Sequence, residues 1–134
     1  MRILAIDYGS QRMGIALSDP MKIIPIKSPT LIINGSNEIA IEKLSELFKQ
    51  YEIDKIIIGY PIGLSGKKTK QTLIIESFIE LLKKNFDCEI IKWDERYTSV
   101  EAKEILIKKG INTIKNKEAI DQMSAFIMMR EYLN

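Results

Sequence analysis

Ile56-Ile57-Ile58 is an uninterrupted β-branched run, the pattern of a strand covered on both faces, as parallel strands in α/β proteins are. Before it, Ala40, Leu44, Leu47, Phe48 and Tyr51 recur at helical spacing; after it, Leu73, Ile74, Phe78, Leu81 and Leu82 do the same. A buried strand between two amphipathic helices predicts helical crossovers and parallel neighbours. The run ends at Gly59-Tyr60-Pro61, and a further strand is expected over residues 89–93.

The N-terminal third reads differently. Ile3-Leu4-Ala5-Ile6 ends at Asp7-Tyr8-Gly9-Ser10, and Gly14-Ile15-Ala16-Leu17-Ser18 ends at Asp19-Pro20. The short polar link between them predicts an antiparallel hairpin. Ile23 to Ile26 and Thr30 to Ile33 extend the meander, with Pro25 confining its piece to an edge or a bulge. Ser36 or Asn37 can cap the first helix. Thr98-Ser99-Val100-Glu101 is a capping box, so a third helix is expected beyond Arg96, ending at Lys108-Lys109-Gly110. A final helix is expected from about residue 118 to 133, with Met123, Phe126, Ile127 and Leu133 among its apolar residues. The expected architecture is α/β: a mixed five-stranded sheet with helices on both faces, a single domain over residues 1–134.

Composition narrows the chemistry. The chain has no histidine, which removes imidazole bases, serine–histidine and cysteine–histidine pairs and histidine metal sites together. Cys88 is the single cysteine, so an internal disulfide or a thiolate cluster is excluded, and an unpaired thiol suits a reducing cytoplasm. The net charge of +2 neither announces nor excludes a nucleic-acid partner. No apolar stretch approaches the roughly 18 residues of a membrane span.

Acid–base or metal chemistry must therefore rest on carboxylates. Asp7 sits where a buried strand meets a glycine turn, the end of an open α/β sheet that receives ligands. Glu95 sits at the corresponding end of a later strand. Asp121 lies on the last helix, where Ser124, Ala125 and Met128 at i+3, i+4 and i+7 put it on a small and apolar face turned towards the sheet. If the three converge with no histidine nearby, one or two hard divalent cations are the economical way to hold them together. Singly, each has a plainer reading: Asp7 as turn punctuation, Glu95 as a salt-bridge partner of Arg96, Asp121 as a complement to the helix dipole. Asp94 rivals Glu95, because adjacent strand residues face opposite ways.

Gly59-Tyr60-Pro61-Ile62-Gly63-Leu64-Ser65-Gly66-Lys67-Lys68 follows the buried strand and could approach a phosphate closely, with Lys67, Lys68 and Lys70 supplying charge. It is not a P-loop, and a lysine-bearing surface loop is the plainer reading. Lys108, Lys109, Lys115 and Lys117 form a second basic stretch, read as a solvated surface. Arg96 is the better phosphate candidate. Trp93 and Tyr97 could stack on bases, although Trp93 also suits a core.

In order along the chain, Asp7-Tyr8-Gly9, Gly59-Tyr60-Pro61 with Gly66, Trp93-Asp94-Glu95-Arg96 with Thr98, and Ile120-Asp121 resemble the YqgF/RuvX family. These small ribonuclease-H-like proteins have been described as Holliday-junction resolvases and associated with maturation of precursor 16S ribosomal RNA. Ser124-Ala125 and Thr98-Ser99 are minor departures from its pattern. The resemblance implies a ribonuclease-H-like sheet and a nuclease centre whose catalytic and metal-binding residues are Asp7, Glu95 and Asp121. It implies Mg²⁺ or Mn²⁺ as cofactor. The family's glycine–proline loop and arginine fall on Gly59 to Gly66 and Arg96, and the expected nucleic-acid contacts are Gly9, Gly59, Pro61, Gly66, Lys67, Lys68, Arg96 and Thr98. The expected substrate is precursor ribosomal RNA. The alternatives are branched DNA, for which a symmetric dimer would be needed, and a ribosome-assembly module that binds without cutting. A sugar-kinase or actin-like nucleotide site also begins with an Asp before a glycine turn, but normally needs two such domains.

Overall fold

The computed structural model describes residues 1–27, 29–61, 66–94 and 117–133, the side chains of Lys27 and of residues 117–122 excepted. The elements are β1 (Arg2–Tyr8), β2 (Arg12–Ser18), β3 (Pro25–Lys27), β4 (Thr30–Ile32), α1 (Asn37–Gln50), β5 (Ile53–Tyr60), α2 (Lys70–Asn85), β6 (Glu89–Asp94) and α3 (Lys117–Leu133). The helix expected behind the Thr98 to Glu101 capping box lies outside the described residues.

The sheet runs β3-β2-β1-β5-β6, with β4 also paired to β2. β1 and β2 form the expected antiparallel hairpin, from Leu4↔Leu17 to Tyr8↔Met13. β3 follows Leu17 and Ser18 while β4 follows Arg12 to Gly14, both antiparallel to β2. They are thus two segments of one outer strand, which makes six segments in five positions. Pro25 and Pro29, which have no N–H to donate, occur along this broken edge. β5 lies parallel to β1, and β6 parallel to β5. The hairpin takes one side of β1, so the crossover through α1 delivers β5 to the other, leaving β1 central.

Strand alternation sorts the side chains into two cores. Leu4, Ile6, Met13, Ile15, Leu17, Ile56 and Ile58 meet Ala40 and Leu44 of α1 and Ile75, Phe78, Ile79 and Leu82 of α2. On the opposite face, Ile3, Ala5, Ala16 and Ile57 meet Ala125, Met128 and Met129 of α3. The triplet Ile56, Ile57 and Ile58 is fully buried because consecutive members serve the two faces.

The helix starts are set by hydroxyls. Ser36 caps α1, its hydroxyl accepting the Ile39 N–H at 3.2 Å. Thr69 caps α2 in a reciprocal box with Thr72, so α2 begins a few residues before the apolar periodicity of Leu73 and Ile74 announces it. Both helices are capped at their ends by aromatic residues, Tyr51 and Phe86, and Phe86 stacks on Phe48 of the last turn of α1 at 4.3 Å. No helix among the described residues is long and apolar enough to cross a membrane.

Candidate functional site

Asp7 is half-buried near the end of the central strand. Ile3 and Ala5 face α3 whereas Leu4, Ile6 and Tyr8 face α1 and α2, so alternation places Asp7 on the α3 face. Its neighbours across the sheet are both glycines. Gly14 pairs with it directly on β2, and Gly59 on β5 is one residue beyond the Ile6↔Ile58 pair. Neither flanking strand therefore sets a Cβ beside the carboxylate.

The opposing surface of α3 combines the small Ser124 and Ala125 with Met128 and Met129. Ser124, Ala125 and Met128 are buried, as their spacing predicts, and Ala125 meets Ala5 and Ala16 in one cluster. Small side chains on both partners let helix and sheet approach closely. Ser124 Oγ finds no hydrogen-bond partner among the described residues. Position 121 heads this helical row; the Asp121 side chain lies outside the description.

β6 fixes the face of Asp94. Ile91 and Trp93 pack into the α3 core, while Ile90 packs into the other. Asp94 shares the alternation of Ile90 and Lys92, and Lys92 Nζ lies 4.8 Å over the ring of Tyr60, a member of the α1/α2 core. Asp94 is therefore on the face opposite Asp7. Glu95, Arg96 and Thr98 lie outside the described residues.

The expected nucleic-acid contacts divide by cause. A Cβ on Gly9 would sit 2.5 Å from the Arg12 carbonyl oxygen, so glycine is required there by the hairpin itself, which the sequence reading did not anticipate. Gly9→Ala should cost about 1–3 kcal/mol by forced backbone displacement, read as a lowered midpoint of chemical denaturation; an unchanged midpoint would refute this account. Gly66 has φ +78° with open space around it, and Lys67 is exposed. Gly59 is buried within β5 and Pro61 follows it directly.

Lys68 is engaged. Its Nζ lies 2.8 Å from Glu76 Oε1 on α2, and the Tyr60 hydroxyl donates to the same oxygen. The Lys68 ammonium, with help from Tyr60, holds the Glu76 carboxyl below the usual carboxylate range. The carboxylate in turn raises both the Lys68 ammonium and the Tyr60 phenol. Thr72 donates its hydroxyl to the Pro61 carbonyl. Both ends of the glycine–lysine segment are thus tied to α2. The sequence reading missed Tyr60, Thr72 and Glu76. The Thr69-x-x-Thr72 spacing was a legible signal for the cap, but nothing in spacing alone pairs Glu76 with Lys68.

Comparisons with known proteins accord with this geometry. A family model described as "RuvX: Holliday junction resolvase" matches residues 1–134. A relative from Ruminiclostridium cellulolyticum, named "Putative pre-16S rRNA nuclease", is 40% identical over 134 residues, covering 100% of this chain and 94% of its own length. A relative of the same name from Mycoplasmopsis synoviae is 40% identical over 134 residues, covering 100% and 98%. Among solved structures, T. thermophilus RuvC in complex with a Holliday junction substrate superposes with a TM-score of 0.56 at 8% identity, over 98% of this chain and 93% of that one. Fowlpox virus resolvase with its Holliday junction DNA gives 0.54 at 14% identity, over 97% and 99%. The ROK hexokinase from Thermus thermophilus gives 0.51 at 14% identity, over 79% of this chain but 38% of that one. At these identities the structural likenesses show the fold alone, and a fold shared by a resolvase and a sugar kinase does not choose between their chemistries.

Proposed function

The chain belongs to the RuvX family, and from that premise we propose that it is a divalent-metal-dependent nuclease acting on precursor 16S ribosomal RNA. The carrying observation is the setting of Asp7, near the end of the central strand on the α3 face, flanked by Gly14 and Gly59. A carboxylate there, in a chain without histidine, is a hard oxygen donor suited to Mg²⁺ or Mn²⁺.

Glu95 and Asp121 are proposed as its companions. Glu95 follows Ile91 and Trp93 at intervals of two, and both of these pack on the face of Asp7. For Asp121 the support is the course of α3. Lys55 Nζ donates to the Tyr132 hydroxyl at 2.9 Å, anchoring the end of α3 near the start of β5. Position 121 is roughly 16 Å back along the helix from Tyr132, and the level of Asp7 is roughly 13 Å up the sheet from Lys55. These comparable lengths support a level for position 121 near that of Asp7.

Bound to these carboxylates, one or two Mg²⁺ ions supply Lewis acidity for activating water and for neutralising the leaving oxygen. The remaining proposed contacts orient the backbone without reading sequence. Arg96 offers a bidentate fork to a phosphate, Lys67 and Lys68 add charge, and Gly59 and Gly66 permit close approach. Precursor RNA is preferred because it is the substrate in the names of full-length relatives. The family description favours branched DNA as the second reading. Incubation of both substrates with Mg²⁺, with and without chelator, decides. Chelator-sensitive cleavage of the RNA precursor is expected; cleavage of four-way junctions alone would transfer the assignment to DNA, and cleavage of neither would overturn the nuclease reading.

A metal titration tests the ligand set separately. Glu95→Gln and Asp121→Asn should each weaken Mn²⁺ binding by at least about 10–100-fold, the range for losing a mere hydrogen-bond partner of a metal ligand, measured calorimetrically. Wild-type affinity in both variants would show that these carboxylates are structural.

A further inference from the structure

A cavity of about 500 Å³ lies between α2 and β6, lined by Lys68, Leu73, Glu76, Glu80, Lys83 and Lys92 among others. Lys92 shares the alternation of Ile90, so the cavity is on the α1/α2 face of the sheet, away from Asp7. Tyr60, whose hydroxyl bonds Glu76 of the lining, pairs with Asp94 one residue beyond the Gly59↔Trp93 pair. This pair is at the same end of the sheet as Asp7, because Gly59 is level with it.

Three ammonium groups reach this groove from three elements: Lys68 from the segment before α2, Lys83 from the last turn of α2, and Lys92 from β6. Two carboxylates answer them. Glu76 takes Lys68 at 2.8 Å, and Glu80 lies 3.6 Å from Lys83. The Lys68 and Lys83 side chains are 62% and 57% exposed, so both ion pairs are open to water and to exchange. The Glu76 side chain is only 28% exposed and is also held by the Tyr60 hydroxyl. The lysine can therefore swing away while the glutamate stays. An anion entering the groove meets one excess positive charge and a carboxylate already occupying the place a phosphate oxygen would take.

We propose that this groove is a subsite for the phosphate backbone of the substrate strand, in which Glu76 holds Lys68 in position until a substrate phosphate takes its place. The inference rests on the nuclease reading for the identity of its ligand. Glu76 is a positioning residue in it, remote from the carboxylates of the proposed cleavage centre. Lys68 exchanges one oxygen ligand for another, so its charge is neutralised with or without substrate. Lys92, held over the Tyr60 ring, and Lys83 extend the same contact along the groove.

The test measures binding of a fluorescently labelled single-stranded RNA of mixed sequence, without divalent metal, as a function of salt. Lys68→Ala and Lys92→Ala should each weaken binding at low salt and reduce the slope of log K against log salt by roughly 0.7, one phosphate contact on a single strand. Lys68→Arg should restore the wild-type slope. Glu76→Gln should bind about two- to fivefold tighter, since the exposed ion pair no longer has to be broken, and a Lys68→Ala change should abolish that gain. A purely structural Glu76 would give unchanged or weaker binding in Glu76→Gln, and that result, or wild-type slopes in both lysine variants, overturns the proposal. Loss of metal-dependent cleavage with these binding effects intact would count against the nuclease reading alone; absence of any RNA binding by the wild-type chain would overturn both.

Discussion

Asp7→Asn is expected to lower metal-dependent cleavage by more than about a thousandfold, equivalent to roughly 4 kcal/mol of barrier, while leaving the fold and RNA binding nearly intact. The substitution keeps the size of the side chain and removes its charge, so the packing between Gly14 and Gly59 is unchanged in shape. What is lost is an anionic oxygen donor, and a neutral amide is a poor substitute in a site for hard dications. Initial rates on the preferred substrate, alongside circular dichroism and an RNA titration, check this. Cleavage within a few-fold of wild type would remove Asp7 from the centre, and with it the reading of the whole site.

The largest effect on stability is expected at Phe78. Its ring is fully buried between the sheet and the two helices, and lies 4.5 Å from the ring of Tyr8, the residue following Asp7. Phe78→Ala removes the buried apolar surface and leaves a cavity that the surrounding Leu, Ile and Tyr side chains fill incompletely. The expected cost is about 3–5 kcal/mol, a large share of the roughly 5–15 kcal/mol available to a domain. Urea denaturation should show a much lower midpoint with a similar slope. A loss under about 1 kcal/mol would mean that the α1/α2 core is not packed as described. Because Tyr8 is also held by Asn37 at the start of α1, part of the loss should appear as a weakened contact between β1 and that helix.

The elements were legible because their signals are local. The triple isoleucine announced a strand covered on both faces, and it is buried on both. Pro25 announced an edge, and β3 is one. Helical periodicity found α1, α2 and α3, with the start of α2 set a few residues early by the Thr69 cap. The interruption between β3 and β4 was less legible, because which residues of a short apolar edge pair with β2 depends on the register of the partner strand. Gly9 shows another limit. Its contact is with the Arg12 carbonyl across the turn, and a glycine required by a neighbouring backbone looks the same in sequence as one required by a ligand.

Of the candidate site, the sequence by itself determined the inventory: carboxylates as the chain's means of metal chemistry, since it has no histidine and one cysteine, and the positions of Asp7 and Asp121 on a strand end and a helix. Tertiary structure alone decided which residues share a face. It put Asp94 with Lys92 and Tyr60 rather than with Asp7, set Gly14 and Gly59 on either side of Asp7, and gave Lys68 to Glu76. The physical reason is that periodicity fixes which way a side chain points relative to its own strand or helix, whereas partners on different elements are chosen by strand order, register and the approach of packed faces, none of which any single segment encodes.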